Sequence, residues 1–125
     1  MDRVTPPNIL MLCTDQQRFD TLGCYGNLYA KTPNLDRLAA QGAVFEQCYV
    51  QNTVCGPSRA SLFTGMYARN HGLWANGVAL PDHRKMFTRV LADTGYDCGM
   101  IGKQHLSACG GWQTEKRFDD GYIFF

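Results

Sequence analysis

The run Asn8-Ile-Leu-Met-Leu-Cys-Thr14 constrains this chain most, because it is continuously apolar and has turn signals on both sides. A strand with one wet face alternates apolar and polar residues. An uninterrupted run reads instead as a strand buried on both faces, as in a parallel α/β sheet. Helix-like and strand-like segments then alternate. Residues 32–42 form a short helix: Thr32 can cap it, Pro33 can take the first position and Gly42 closes it. Its residues Leu35, Leu38 and Ala39 share one face at i, i+3, i+4. Residues 43–50 predict a second strand, with Val44, Phe45, Cys48 and Val50 as its apolar positions. Residues 86–95 predict another helix, with Phe87, Val90 and Leu91 facing inward and Gly95 ending it. Residues 96–102 are the next strand. The expected fold class is α/β, with a largely parallel central sheet flanked by helices.

Ligands in open α/β sheets gather beyond the carboxyl ends of the strands, and the polar residues of this sequence collect there. Asp15 and Gln16 follow the first strand. Ca²⁺ and Mg²⁺ prefer oxygen ligands, so the pair suits a hard cation, while Asp15 as a cap of the next turn is the plainer reading of the residues alone. The second strand delivers residues 51–55 to the same edge. Residues 52–65 read as a loop running into a helix, with Pro57 at the first helical position and Gly65 as its stop. Cys55 then lies just before a helix N-terminus, where free N–H groups and the macrodipole favour an anion. Arg59 follows four residues later. The competing reading makes Cys55 a small buried hydrophobe. A Cys-x5-Arg phosphatase loop fits poorly, since the sixth residue after Cys55 is Ser61. The segment from Gly56 to Ala60 is a near miss to a serine nucleophile elbow at Ser58, with Ala in the last Gly place and Pro57 awkwardly before the serine. In the following loop, residues 66–77, His71 and Asn76 are the polar candidates. Lys103 and His105 emerge past the strand at residues 96–102, where a solvated loop is the plain alternative.

Composition narrows the partners. The 125 residues are enough for one domain, and a net charge of +1 argues against nucleic acid or an anionic membrane. No apolar run reaches the length of a membrane helix. The six cysteines include no Cys-x-x-Cys pair, and Cys13, Cys48 and Cys98 fall in apolar runs, as reduced core thiols would. The opening residues lack a signal-peptide pattern, which points to a cytoplasmic location.

Residues 52–65 closely resemble the sulfatase family, whose motif is Cys-x-Pro-Ser-Arg-x-x-x-x-Thr-Gly. Cys55, Pro57, Ser58, Arg59, Thr64 and Gly65 fill every fixed place. Asn8, Ile9, Asp15, Asp20, Leu22, Gly23, Tyr25 and Gly26 resemble the family's opening, and Gly95-Tyr96, Gly102-Lys103 and His105-Leu106 its second motif. Residues 111–122 resemble its Gly-Phe-Asp element. The resemblance implies an alkaline-phosphatase-like sandwich of which residues 1–125 are the N-terminal portion of the catalytic domain, incomplete here.

The resemblance implies that a formylglycine-generating enzyme oxidises Cys55 to Cα-formylglycine, which hydrates and attacks a small-molecule sulfate ester. It makes Asp15, Gln16 and the modified Cys55 ligands of a divalent cation, Ca²⁺ first, with Mn²⁺ or Mg²⁺ as alternatives. It makes Arg59 a catalytic partner of Cys55, makes Lys103 and His105 catalytic and sulfate-binding, and puts Asn76 at the substrate pocket. Cys24 and Asp20 are read as structural. Lys103 and His105 favour a sulfatase over the related phosphonate monoester hydrolases, which share the cysteine motif. Sulfatases are several times longer and take further metal ligands from later in sequence. The expectation is therefore a segment of a longer enzyme, inactive by itself. A phosphonate or phosphate ester hydrolase is one alternative. A non-catalytic fragment that pairs with the remainder of the chain or with another copy is the other.

Overall fold

A computed structural model describes residues 6–108 and 119–125. It divides into two units, Met1–Glu46 and Gln47–Phe125, taken here one at a time.

In the first unit the run at residues 8–14 does not pair into a strand. Its side chains are exposed, Leu10 to 82%. A two-faced strand is stabilised by ladders on both edges and cover on both faces, and the described residues of this unit supply neither. Cys13, expected in the core, is exposed for the same reason. Two single 3₁₀ turns, Phe19–Thr21 and Gly23–Tyr25, lead to α1, Pro33–Gln41. Pro33 opens α1 as expected, but Thr32 makes no side-chain cap. Its hydroxyl instead accepts the Gly23 N–H at 2.9 Å and donates to Asp36 Oδ1 at 3.0 Å. The same Oδ1 accepts the Cys24 N–H at 2.7 Å. Asn27 fastens the other end of this turn, donating to the Asp20 carbonyl and accepting the Tyr29 and Ala30 N–H groups. Asp20 itself is ion-paired with Arg18 at the surface. The Leu35 and Leu38 face of α1 is exposed.

The second unit holds the core. The strand expected at residues 43–50 is absent, and Cys48 is exposed. The helix after it is α2, Cys55–Thr64. It begins two residues before Pro57, with Val54 as N-cap. Pro57 therefore occupies the third position, still inside the first turn, where no intrahelical donor is lost. Gly65 stops it in the left-handed region at φ 68°, its N–H bonding Ser61 O at 2.9 Å. A short α3, Ala68–His71, interrupts the expected loop and is closed by Gly72 at φ 89°. The remaining elements are α4, Phe87–Asp93, and two parallel strands, β1 (Cys98–Gly99) and β2 (Tyr122–Phe124). Gly95 ends the α4 region at φ 98°, as its position predicts, whereas Val90 on α4 is outward.

Ala60, Phe63, Leu73, Leu80, Met86 and Leu106 form the core. Ala60 and Phe63 are three apart on α2, so one helical face delivers both. Phe63 stacks on Phe87 of α4 at 5.4 Å, with ring planes 3° apart. The Thr88 hydroxyl donates to the Asp120 carbonyl at 2.8 Å, tying α4 to the approach to β2. Most of the element at residues 111–122, and Cys109, lie outside the described residues.

Candidate active site

Cys55 is the first residue of α2, partly buried, where the first-turn N–H groups have no intrahelical acceptor. One of these is satisfied from a distance in sequence. The Gly56 N–H donates to Asn76 Oδ1 at 3.0 Å. The Cys55 sulfur lies against the same amide, 3.3 Å from Nδ2, from which it accepts, and 3.4 Å from Oδ1, to which the thiol can donate. The approach is close: a Cβ on Gly56 would lie 2.8 Å from Asn76 Oδ1 and 3.6 Å from the His105 carbonyl. Just upstream, Asn52 Oδ1 accepts the Val54 N–H at 2.8 Å, a local side-chain turn that shapes the loop entering α2.

Arg59 is buried, one turn along α2, and its Nη1 donates to the Lys103 carbonyl at 2.6 Å. The guanidinium thus ties the helix of Cys55 to the loop after β1. That loop is fixed residue by residue. Lys103 is exposed, while Gln104 is buried with Nε2 facing Asp120 Oδ2 at 3.4 Å and the Tyr122 hydroxyl at 3.5 Å. His105 is half-buried and adopts φ 61°. Leu106 enters the core, its carbonyl accepting the Leu80 N–H at 2.8 Å. A non-glycine residue in the left-handed region costs about 1 kcal/mol or more, and anchors on both sides hold His105 there.

Within the second unit Asn76 meets Cys55, Arg59 meets the Lys103 backbone, and the His105 carbonyl comes close to Gly56. Gln104 is not among the residues the sequence points to; a buried anchor between exposed Lys103 and half-buried His105 leaves only the weak signal of an amide amid the Lys-x-His spacing. Ser58 is helical, its N–H bonding Val54 O at 3.0 Å, so the strained serine elbow is not formed.

His71 is not a loop residue reaching for substrate. It ends α3 and is completely buried. The Leu73 N–H donates to Nδ1 at 3.1 Å, and Nε2 lies 3.2 Å from Ser61 Oγ. Burial holds its pKa below the ordinary histidine value, and the Arg84 charge adds to this against the opposing Pro57 carbonyl.

Asp15 and Gln16 lie in the first unit, exposed, on a bend. The next turn has Arg18 at its N-cap, whose side chain makes no cap bond. Gln16 adopts φ 52°, a second polar candidate in the left-handed region. Their oxygen chemistry suits a hard cation. Two side chains are far short of the roughly six to eight oxygens that Ca²⁺ takes, and among the described residues no three His, Cys, Asp or Glu side chains cluster. A complete cation shell is not present in this set.

The Sulfatase family profile matches residues 7–123. The chain is 38% identical over 100 residues to an N-acetylglucosamine-6-O-sulfatase of Bacteroides thetaiotaomicron, covering 80% of this chain and 18% of the relative. It is 43% identical over 108 residues to human arylsulfatase A, covering 81% of this chain and 21% of that one. The crystal structure of a putative sulfatase from Bacteroides fragilis superposes with a TM-score of 0.73 at 36% identity, over 82% of this chain and 24% of the other. A protein solved in complex with its substrate D-glucosamine-2-N,6-O-disulfate superposes with a TM-score of 0.67 at 38% identity, over 70% of this chain and 18% of that chain. The fold is that of the sulfatases, of whose length this chain spans a fraction. With the motif at Cys55, the match along nearly the whole chain and the shared fold, the chain belongs to the sulfatase family.

Proposed function

We propose that the protein containing this segment hydrolyses sulfate esters at residue 55, with Cys55 converted to Cα-formylglycine by a formylglycine-generating enzyme. The observation that carries the reading is the position of Cys55: it opens α2 inside the family motif, with its sulfur on the Asn76 amide. The hydrated aldehyde supplies an oxygen nucleophile for attack on sulfur. The residues around it do the rest. Asn76 and the Gly56 N–H orient residue 55. Arg59 fixes the Lys103 backbone and brings a buried positive charge to α2. The Lys103 ammonium and the His105 imidazole hold the sulfuryl oxygens as their charge redistributes, the electrostatic contribution that dominates such sites. His105 also delivers a proton to the leaving oxygen. Asp15 and Gln16 contribute to a cation site, Ca²⁺ first, whose other ligands come from outside these residues. Residues 1–125 alone, lacking them, are inactive and prone to associate through exposed apolar segments.

The test is digestion and mass measurement around residue 55 of the full-length protein, with turnover of an aryl sulfate, glucosamine 6-sulfate and an aryl phosphonate. An aldehyde at residue 55 and sulfate ester cleavage that Cys55→Ala abolishes, with folding unchanged, are expected. Activity in Cys55→Ala, or faster cleavage of the phosphonate, would sink the reading.

A further inference from the structure

We infer that His71 is a positioning residue, which holds the Asn76 carboxamide against Cys55 by anchoring the loop between them. The imidazole is fully buried and both nitrogens are engaged. Because Leu73 donates its N–H to Nδ1, that nitrogen is the acceptor and the proton sits on Nε2. Nε2–H then faces α2, where Ser61 Oγ at 3.2 Å and the Pro57 carbonyl are its acceptors. Ser61 is on α2, the helix that Cys55 opens. The ring therefore ties residues 72–76 to the body of the catalytic helix.

The tie reaches the site through Leu73. This residue is buried, and its Cδ2 would lie 3.2 Å from a Cβ on Gly56. Three residues later Asn76 meets Gly56 N–H and Cys55 Sγ. Asn76 is exposed and belongs to no helix or strand, so its placement depends on what holds the loop before it. A residue serving only to fill the core would not need two directed bonds of opposite sense. The inference rests on Cys55 being the reacting residue, but its test reads the thiol and so fails separately from the sulfatase reading.

The full-length protein is produced without maturation, so residue 55 stays a thiol. Alkylation of Cys55 by iodoacetamide is followed peptide by peptide, which separates it from the exposed Cys13 and Cys48. The variants are Asn76→Ala, His71→Gln, His71→Asn and the double variant His71→Gln/Asn76→Ala. Gln keeps a donor near Nε2 for Ser61 and abandons the Leu73 N–H. Asn places its oxygen near Nδ1 and keeps that bond. His71→Gln is expected to shift the Cys55 rate about fivefold, the worth of one ordinary hydrogen bond, in the same direction as Asn76→Ala. The double variant adds nothing further. His71→Asn, which gives up the bond from Nε2 to Ser61 on α2, is expected to shift the rate in the same direction. A wild-type rate in His71→Gln, or additive effects in the double variant, overturns the assignment. So does a wild-type Cys55 rate in His71→Asn, which decides the matter by itself if His71→Gln does not fold.

Discussion

Asp36 should hold the opening turn of the first unit together, and removing it is a test with a calculable size. Its Oδ1 accepts the Cys24 N–H at 2.7 Å and the Thr32 hydroxyl at 3.0 Å, and that hydroxyl in turn accepts the Gly23 N–H. Both bonds end on the carboxylate, and a hydrogen bond to a charged group contributes about 1.5–3 kcal/mol. Asp36 is only half-buried, so water recovers part of the loss. Asp36→Ala should therefore open this turn by about 2 kcal/mol, less than the sum of the two lower ends. Asp36→Asn keeps an acceptor oxygen and should cost about 1 kcal/mol. The assay is hydrogen exchange across residues 23–24 of the full-length protein, where 2 kcal/mol appears as roughly 30-fold faster exchange. A second variant isolates the geometry. A Cβ on Gly23 would sit 2.6 Å from Asp36 Oδ2, so Gly23→Ala should be harmful in the wild type and much less so beside Asp36→Ala. Exchange altered by less than about threefold in Asp36→Ala, or a Gly23→Ala cost equal in both backgrounds, would refute the reasoning.

His71 makes stability depend on pH. Its folded pKa is lowered, so below about pH 6.5 the unfolded chain binds the proton that the folded one refuses. Its contribution is fully present above that pH and is lost as pH falls toward the folded value; urea midpoints at several pH values should show a fall that His71→Asn flattens. Arg59→Met removes the buried bond to the Lys103 carbonyl, which should cost about 1–3 kcal/mol in urea unfolding and lower kcat/KM with it; unchanged values for both would dismiss the brace. Lys103→Ala should lower kcat/KM for sulfate esters by about 10²-fold or more without moving the unfolding midpoint, since the side chain is exposed.

Elements whose signals lie within a few residues were legible from sequence. Pro33 opening α1 and Gly65 closing α2 act through their own backbone geometry, so their roles do not depend on distant contacts. The motif at Cys55 likewise marked a helix N-terminus, shifted by two residues because Pro57 tolerates any place in the first turn. The run at residues 8–14 shows the opposite case. Its composition suits a two-faced strand, yet a strand exists only through ladders to other segments, and the described first unit provides none.

The sequence by itself determined the family, the glycine stops of the helices and the candidate residues, because these are properties of side-chain type and near spacing. Only the tertiary structure decided which candidates meet. Cys55 and Asn76 are 21 residues apart, and Arg59 and Lys103 are 44 apart. No local rule links such pairs; packing of the Ala60–Leu106 core brings their segments together. The same packing turned His71 inward as a neutral buried strut, and left Lys103 and His105 at the rim beside the helix that Cys55 opens.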